Sequence, residues 1–485
     1  MYKNNKILVG KNDNSEATLL LNKANRHGLI TGASGSGKTI TLKVLAESFS
    51  ASGVPVILSD VKGDLAGTSL IGNLDLIKDR VDKLGISDFN IQKFPVSFFD
   101  IYGTSGHPIR TTVKSIGSRL LSHMLNLTDT QESVLSIVFK ICEDERLDLI
   151  NLSDLRSVLN YIGENRKNYT LKYGNISLQS IGAIQRNVLN LEEEGGENFF
   201  GLPQFEIRDF IHFDGNTGFG QISILHSVKL FQQPILYSSV LLWILISLYN
   251  ELPEVGDLEK PKLVMFFDEA HLLFSDMPSY LLKQIIQIVK LIRSKGVGLY
   301  FISQTPSDIP DEILGQLGNR IQHVLRSYTK TDEKVIKAAA DSFRINSSFY
   351  TIDEIKNLAT GEALISLVDE FGQPTVVDKF KILPPQSKMG VIDDELRQQL
   401  IQEDWLYNKY EQKINYETIE QKIFKINEAK NKDTNSLEKK EDIMKKEKKS
   451  SKKTNVEKYT DKLANKTINT IGRKLGNQIF KGLFK

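Results

Sequence analysis

The sequence predicts an α/β fold with a parallel β-sheet core, and three observations carry that prediction. Short apolar runs that end in polar or acidic residues alternate with stretches of helical spacing, as strand and helix units do. At one such junction Gly32 to Thr39 (GASGSGKT) fits the pattern G-x-x-x-x-G-K-[ST], with an apolar run before it and a helical stretch after it. A second apolar run more than two hundred residues later, Leu263 to Phe267, ends in Asp268 and Glu269.

In chain order, Lys6 to Val9 and Ala17 to Leu21 are strand-like runs, enough for a hairpin and too few for a barrel domain. Gly28 to Thr31 reads as a short buried strand, and Ile40 to Phe49 continues with helical spacing. Gly32, Gly35 and Gly37 permit backbone turns closed to other residues. Successive N–H groups and the helix N-terminus can then surround a polyphosphate. The residues expected to line a bound ATP are Gly32, Ser34, Gly35, Ser36, Gly37, Lys38 and Thr39. Lys38 would reach the β and γ phosphates, and the Thr39 hydroxyl would serve Mg²⁺. The plainer alternative is a glycine-rich turn that happens to precede a helix.

Val54 to Ser59 reads as the next buried strand, ending at Asp60 and followed by the loop VKGDLAG. Ligands of parallel sheets lie outside the carboxyl ends of strands, so Asp60, Lys62 and Asp64 either border the site or form a solvated loop. Pro95 to Ile101 is a further strand. From Thr112 to about Asn198 four helical segments follow without a strand between them, which indicates an insertion. Thr128 or Asp129 would cap the second of them. Strands then resume at Gly220 to His226, followed by an apolar helix from Ile235 to Tyr249, the strand Leu263 to Phe267 and a helix from Tyr280 to Lys295. Gly298 to Ser303 is a strand, Ile309 to Leu317 a helix, Arg320 to Arg326 a strand and Lys330 to Phe343 a helix. Glu362 to Leu367 with Thr375 to Phe380 would close the domain as a hairpin.

Composition bounds the rest. The chain has 485 residues, 40% of them hydrophobic, which supports a sizeable core. The single cysteine, Cys142, excludes an internal disulfide and a multi-cysteine metal site, as expected of a cytoplasmic protein. No transmembrane segment is expected, because Ile235 to Tyr249 is short and interrupted by Ser238, Ser239 and Ser247. Net charge is +2, yet residues 421 to 485 hold 19 Lys and Arg against 8 Asp and Glu. The body is therefore acidic, and contact with DNA needs a local surface or the basic tail. Residues 431 to 455 are low in complexity, and Leu463 to Leu483 recover an apolar periodicity suited to another subunit, an anionic surface or solvent. The expected organisation is residues 1–110 as the first part of the core and 111–215 as the helical insertion. Residues 216–387 form its second part, and 388–485 a charged tail.

KLVMFFDEAH supplies the hydrolytic half. Asp268, at the end of a buried strand, can hold Mg²⁺ through water, and Glu269 can polarise the water that attacks the γ-phosphate. Gln304, ending LYFISQ, is placed as a γ-phosphate sensor or else caps the next turn. Arg293, just before that strand, suits a finger reaching into a neighbouring subunit's site, or is a plain surface arginine. Arg320 and Arg326 are weaker candidates for the same role.

TGASGSGKT, LPEVGDLEKPKLVMFFDEAHLLF, IRSKGVGLYFISQTPSDIPDEILGQLGNRIQHVLR and KAAADSFR together resemble the bacterial HerA-like ATPases of the HerA–FtsK superfamily. The narrower likeness is to the branch without the amino-terminal β-barrel. It covers roughly residues 7 to 387, with a weaker echo in IGRKLGNQIFKGLF. The resemblance implies a RecA-like P-loop NTPase fold, commonly assembled as a hexameric ring. It implies a Walker A motif at Lys38 and Thr39 and a Walker B motif at Asp268 and Glu269. It also implies a sensor at Gln304 and a trans arginine finger at Arg293. Better-studied members translocate double-stranded DNA, and HerA proper works with a nuclease. The function expected is thus a Mg²⁺-dependent, ring-forming DNA translocase. The alternative is an ATP-switched oligomer that recruits an unknown protein partner through residues 421–485.

Overall fold

In the computed structural model, which describes residues 1–425 apart from Asp257 and Asp276, the buried apolar runs lie side by side as strands. The predicted low-complexity stretch and the C-terminal apolar segment lie outside the described residues. In chain order the strands are β1 (Tyr2–Lys3), β2 (Lys6–Lys11), β3 (Glu16–Leu20), β4 (Gly28–Thr31), β5 (Val56–Asp60), β6 (Val96–Asp100) and β7 (His107–Pro108). They continue with β8 (Ile222–His226), β9 (Leu263–Phe267), β10 (Val297–Ser303), β11 (Asn319–Gln322), β12 (Glu362–Ser366) and β13 (Asp378–Ile382).

All of these described strands join one sheet. Its core is parallel, in the order β11-β4-β10-β9-β5-β8-β6-β7. Every residue of β4, β5, β9 and β10 is buried, as strands covered by helices on both faces require. Beyond β11 the sheet turns antiparallel. The β12–β13 hairpin pairs with β2 through Lys381 opposite Lys11, and β2 forms the predicted N-terminal hairpin with β3. Both hairpins therefore extend the central sheet.

Some elements are shorter than their periodicity predicts, each for a local reason. The helix expected over Ile309 to Leu317 is one turn, Asp311–Leu314, set between Pro310 and Gly315. The helix Ser279–Leu291 gives way to a 3₁₀ turn, Ile292–Lys295, closed by Gly296 at φ 78°. The strand β11 stops at Gln322, where Val324 and Leu325 turn to pack with Ile336, Ile355 and Leu358 in a satellite core. The strand expected from Thr375 begins at Asp378: Thr375 N still donates to Leu367 O, but Val377 N turns to the Arg344 carbonyl and interrupts the ladder.

The chain forms two compact units. One is Met1–Arg110 with Pro203–Lys413 and contains the whole sheet. Its core stacks the helix Lys38–Ala51 on the sheet through Phe49, whose ring lies 6.3 Å from Phe266 and 5.8 Å from Tyr300. The helix Pro234–Glu251 is long and apolar enough to cross a membrane, yet Leu236, Tyr237, Val240, Leu241 and Ile244 are fully covered by the protein. Residues 384–411 return across this unit. Gln386 and Ser387 donate their backbone N–H groups to the buried Glu47 carboxylate, and Lys43 Nζ donates to the Lys388 carbonyl at 2.7 Å.

The other unit is Thr111–Leu202 with the described residues from Ile414 to Lys425. Residues 111–202 hold five α-helices where four were expected, because Arg166–Tyr173 buries only Tyr169 and so lacks an apolar face to read. Thr128 is the cap of the second helix, in a reciprocal box with Gln131. The buried Asp154 carboxylate accepts from Ile150 N, Ile419 N and Tyr416 Oη, which ties the returning chain to the helices. Burial pushes the Cys142 thiol up to about 12, so it is an inert core residue.

Candidate functional site

The site grows from the carboxyl ends of adjacent strands. The loop after β4 is held from both sides: Gly32 N donates to the Gln304 carbonyl at 3.1 Å, and Ala33 N to Val324 O at 2.8 Å. Gly361 N donates to the Ser36 carbonyl at 3.1 Å from the β12 side. Gly32 and Gly37 take φ values of 153° and 114°. A Cβ on Gly32 would come within 2.5 Å of His323 Cβ, so the loop closes only with glycine there.

Within this loop the Ser36 hydroxyl is buried with no hydrogen-bond partner. Lys38 Nζ folds back onto the Gly32 and Ala33 carbonyls at 2.5 and 3.1 Å. Burial lowers the Lys38 pKa, Glu269 raises it and Lys62 lowers it again, which places all three side chains in one electrostatic neighbourhood. An orphaned hydroxyl and a lysine bound only to loop carbonyls fit a polyphosphate, whose oxygens accept from both. Ser34 and Gly35 are exposed at the mouth of the loop, and Thr39 opens the helix that follows.

His323 underlies the loop and escaped the sequence reading. Its Nε2 lies 2.9 Å from Thr41 Oγ1 and its Nδ1 2.9 Å from the Glu362 carbonyl. The carbonyl fixes a proton on Nδ1, and burial, which lowers the pKa to about 4, keeps the ring neutral. The only signal in the sequence was its place in the alternating run RIQHVLR, which marks a strand side chain and nothing more.

The second half of the site follows β9, two strands away from β4. Asp268 N donates to Ser59 Oγ at 3.2 Å, and the Asp268 carbonyl accepts from Tyr237 Oη at 2.8 Å. The Ser59 and Tyr237 hydroxyls are themselves 2.9 Å apart. Burial and the Asp268 charge raise the Tyr237 phenol well above its usual value, so it remains a donor. Neither supporting residue was legible beforehand, since Ser59 sits inside a strand and Tyr237 inside an apolar helix. Burial, then the Glu269 charge, push the Asp268 carboxyl up to about 7, with Lys62 acting against them. A site with this excess of buried negative charge fits a cation, and Mg²⁺ needs one or two protein oxygens beside phosphate and water. Thr39 and Asp268 are the residues that would hold it.

Glu269 sits at φ 48°, an uncommon value for a residue with a side chain. Its Oε2 is buried without a hydrogen bond and lies 3.3 Å from His271 Nδ1. That contact satisfies an ion-pair distance but not hydrogen-bond geometry, so it aligns the carboxylate only when His271 is charged. Gln304 follows β10 with an exposed side chain beside the loop. Arg293 precedes β10 and so lies at the opposite, amino end of the strands from the loop. Arg320 is occupied by the carbonyls of Leu317, Ser342 and Leu314, whereas Arg326 is exposed. The Asp60 carboxylate shapes its own loop by accepting from Gly63 N and Leu65 N.

Comparison with known proteins agrees with this architecture. The bacterial conjugative coupling protein TrwB, in its unbound form, superposes with a TM-score of 0.52 at 16% identity, over 79% of this chain and 89% of that one. VirB4 of Thermoanaerobacter pseudethanolicus gives 0.51 at 16% identity, over 79% and 97%. These neighbours share the RecA-like P-loop ATPase fold. In sequence the chain is 25% identical to the DNA double-strand break repair helicase HerA of Sulfolobus acidocaldarius over 383 residues, 77% of this chain and 70% of that protein. It is also 25% identical to the HerA of Sulfurisphaera tokodaii, over 74% of this chain and 66% of that protein. The profile of the Helicase HerA-like C-terminal family matches residues 5–485, and the chain belongs to that family.

Proposed function

We propose that this protein is an ATP-hydrolysing, HerA-like motor that assembles into a ring and moves double-stranded DNA. One observation carries the reading. The phosphate loop, with its orphaned Ser36 hydroxyl, and the Asp268–Glu269 pair lie within electrostatic reach of one another through Lys38. Lys38 and the loop N–H groups bind the β and γ phosphates, and Glu269 takes a proton from the attacking water. Thr39 and Asp268 would hold Mg²⁺, which would supply charge neutralisation on the phosphates. Gln304 senses the γ-phosphate, and Arg293, at the far end of its own strands, serves a neighbouring subunit.

The relatives' name supports DNA as the substrate, and TrwB in complex with a non-hydrolysable ATP analogue supports the nucleotide. ATPase assays with and without duplex DNA, repeated across salt concentrations, test the reading. Stimulation that weakens as salt rises is the expected result. Absence of stimulation at every ionic strength removes the DNA motor.

The charge asymmetry favours a second reading. Residues 421 to 485 carry 19 Lys and Arg against 8 Asp and Glu on an otherwise acidic chain, which suits an ATP-switched oligomer that recruits a protein partner. Deleting residues 421–485 separates the two. A motor keeps basal hydrolysis and assembly, while a recruiter loses its partner. The location expected for either is the cytoplasm.

A further inference from the structure

Resting on the nucleotide reading, we propose that Lys62 is a second catalytic cation of this site, contacting the terminal phosphate of the bound nucleoside triphosphate. The sheet brings it there. The strands β5 and β9 are parallel neighbours with Leu58 opposite Phe266, so the chain leaves β5 beside Asp268 and Glu269. The loop is then fixed from within. The Asp60 carboxylate, 1% exposed, accepts from Gly63 N at 2.7 Å and Leu65 N at 3.0 Å, and Gly63 takes φ 77°. Val61, Gly63 and Leu65 are buried, and Lys62 alone among them is exposed.

The Lys62 ammonium, exposed on this loop, has no hydrogen bond or ion pair among the described residues. Lys38 likewise pairs with carbonyls and with no carboxylate. Lys62, on the loop after β5, and Lys38, at the start of the helix after β4, both stand at the carboxyl end of the parallel sheet, where an anion would pair with them. The anion that fits is the end of the polyphosphate. In hydrolysis a bond forms between the water oxygen and the γ-phosphorus, and the bond to the β–γ bridging oxygen breaks. The water proton goes to Glu269, and the leaving diphosphate keeps the electron pair. Lys62 holds the negative charge on the γ-phosphate oxygens while this happens, which is the kind of fixed positive charge on which phosphoryl transfer depends.

The test compares full-length wild type, Lys62→Ala and Lys62→Arg with Lys38→Ala as reference, by steady-state ATP hydrolysis. It also measures binding of fluorescent ADP and of a non-hydrolysable ATP analogue. Lys62→Ala is expected to lower kcat about 100-fold and to raise KM only as far as it weakens the ATP analogue. Affinity for the ATP analogue falls while that for ADP, which lacks the terminal phosphate, holds. Lys62→Arg restores part of kcat, and the thermal melting temperature is unchanged in all three. A Lys62→Ala kcat within about twofold of wild type overturns the proposal. So does an equal loss of ADP and ATP-analogue binding, which marks a structural role for the loop. If wild type itself neither binds nor hydrolyses ATP, the underlying nucleotide reading falls as well, an outcome recognisable because Lys38→Ala then matches wild type.

Discussion

Ser36 and the buried His27 and His323 show how single residues of this protein trade stability against function. The Ser36 hydroxyl is desolvated without a partner, which costs about 1–3 kcal/mol until a phosphate oxygen reaches it. Ser36→Ala should therefore raise the melting temperature of the nucleotide-free protein and weaken ADP binding, two opposite signs that one thermal-shift titration reads together. His27 accepts from Leu299 N at Nδ1 and donates from Nε2 to the Val289 carbonyl, so a second ring proton breaks one of these bonds. Burial first, with Arg293 adding to it, lowers its pKa to about 4, and His323 is lowered to about 4 by burial with Lys38 adding to it.

Between pH 6.5 and 4 the unfolded chain thus binds protons at these histidines that the folded chain does not. Stability is full above pH 6.5 and is lost as pH falls towards 4, by about 2 kcal/mol per histidine at pH 5. The raised Glu47 carboxyl has the opposite sign, losing its contribution as pH rises through its own range, so a variant must isolate the histidine effect. Urea midpoints at pH 7.5 and 5 for wild type and His27→Gln check it: the variant's midpoint should depend less on pH. Lys38, Asp268 and Glu269, to which we assign the chemistry, were legible as candidates because phosphoryl transfer demands those residue types at that spacing. The ring of His323 was not, because a strand position says nothing of which loop it will underlie.

At the scale of elements, β4 and the helix after it can approach β10 only because Gly28 lacks a side chain. A Cβ there would lie 2.3 Å from Tyr300 Cδ1, and Tyr300 is pinned by its hydroxyl to Ala24 O and by its ring to Phe49 and Phe266. Gly28→Ala should destabilise the fold by about 1–3 kcal/mol, measured as a lowered urea midpoint. The loss should shrink in a Tyr300→Ala background, where the clash is gone. Buried strands were read well from sequence, since β4, β5, β9 and β10 are continuous apolar runs with polar ends. Helices lacking an apolar face, such as Arg166–Tyr173, and runs cut short, at Pro310 or where Val377 turns to Arg344, were read poorly. Their extent depends on tertiary contacts and backbone donors that periodicity does not count.

For the molecule as a whole, the place of Arg293 at the amino end of its own strands makes an interface prediction. Arg293→Ala and Glu269→Gln proteins, each inactive alone, should regain hydrolysis when mixed, because a site with an intact Glu269 can then meet an intact Arg293 from its neighbour. Assays over a range of mixing ratios measure it. Mixtures that stay inactive, with both proteins folded and binding ATP, remove the trans role.

Taken alone, the sequence determined that a phosphate loop, a strand-borne acidic pair and a parallel sheet belong to this chain. These rest on local rules of residue type, spacing and burial. Tertiary structure decided what lies around them. It set the order of strands that brings β5 and its Lys62 beside β9, the His323 ring beneath Gly32, and the Ser59 and Tyr237 hydroxyls that hold Asp268. Such contacts join residues tens to hundreds of positions apart. Their partners are chosen by the packing of the whole sheet, which no window of sequence contains.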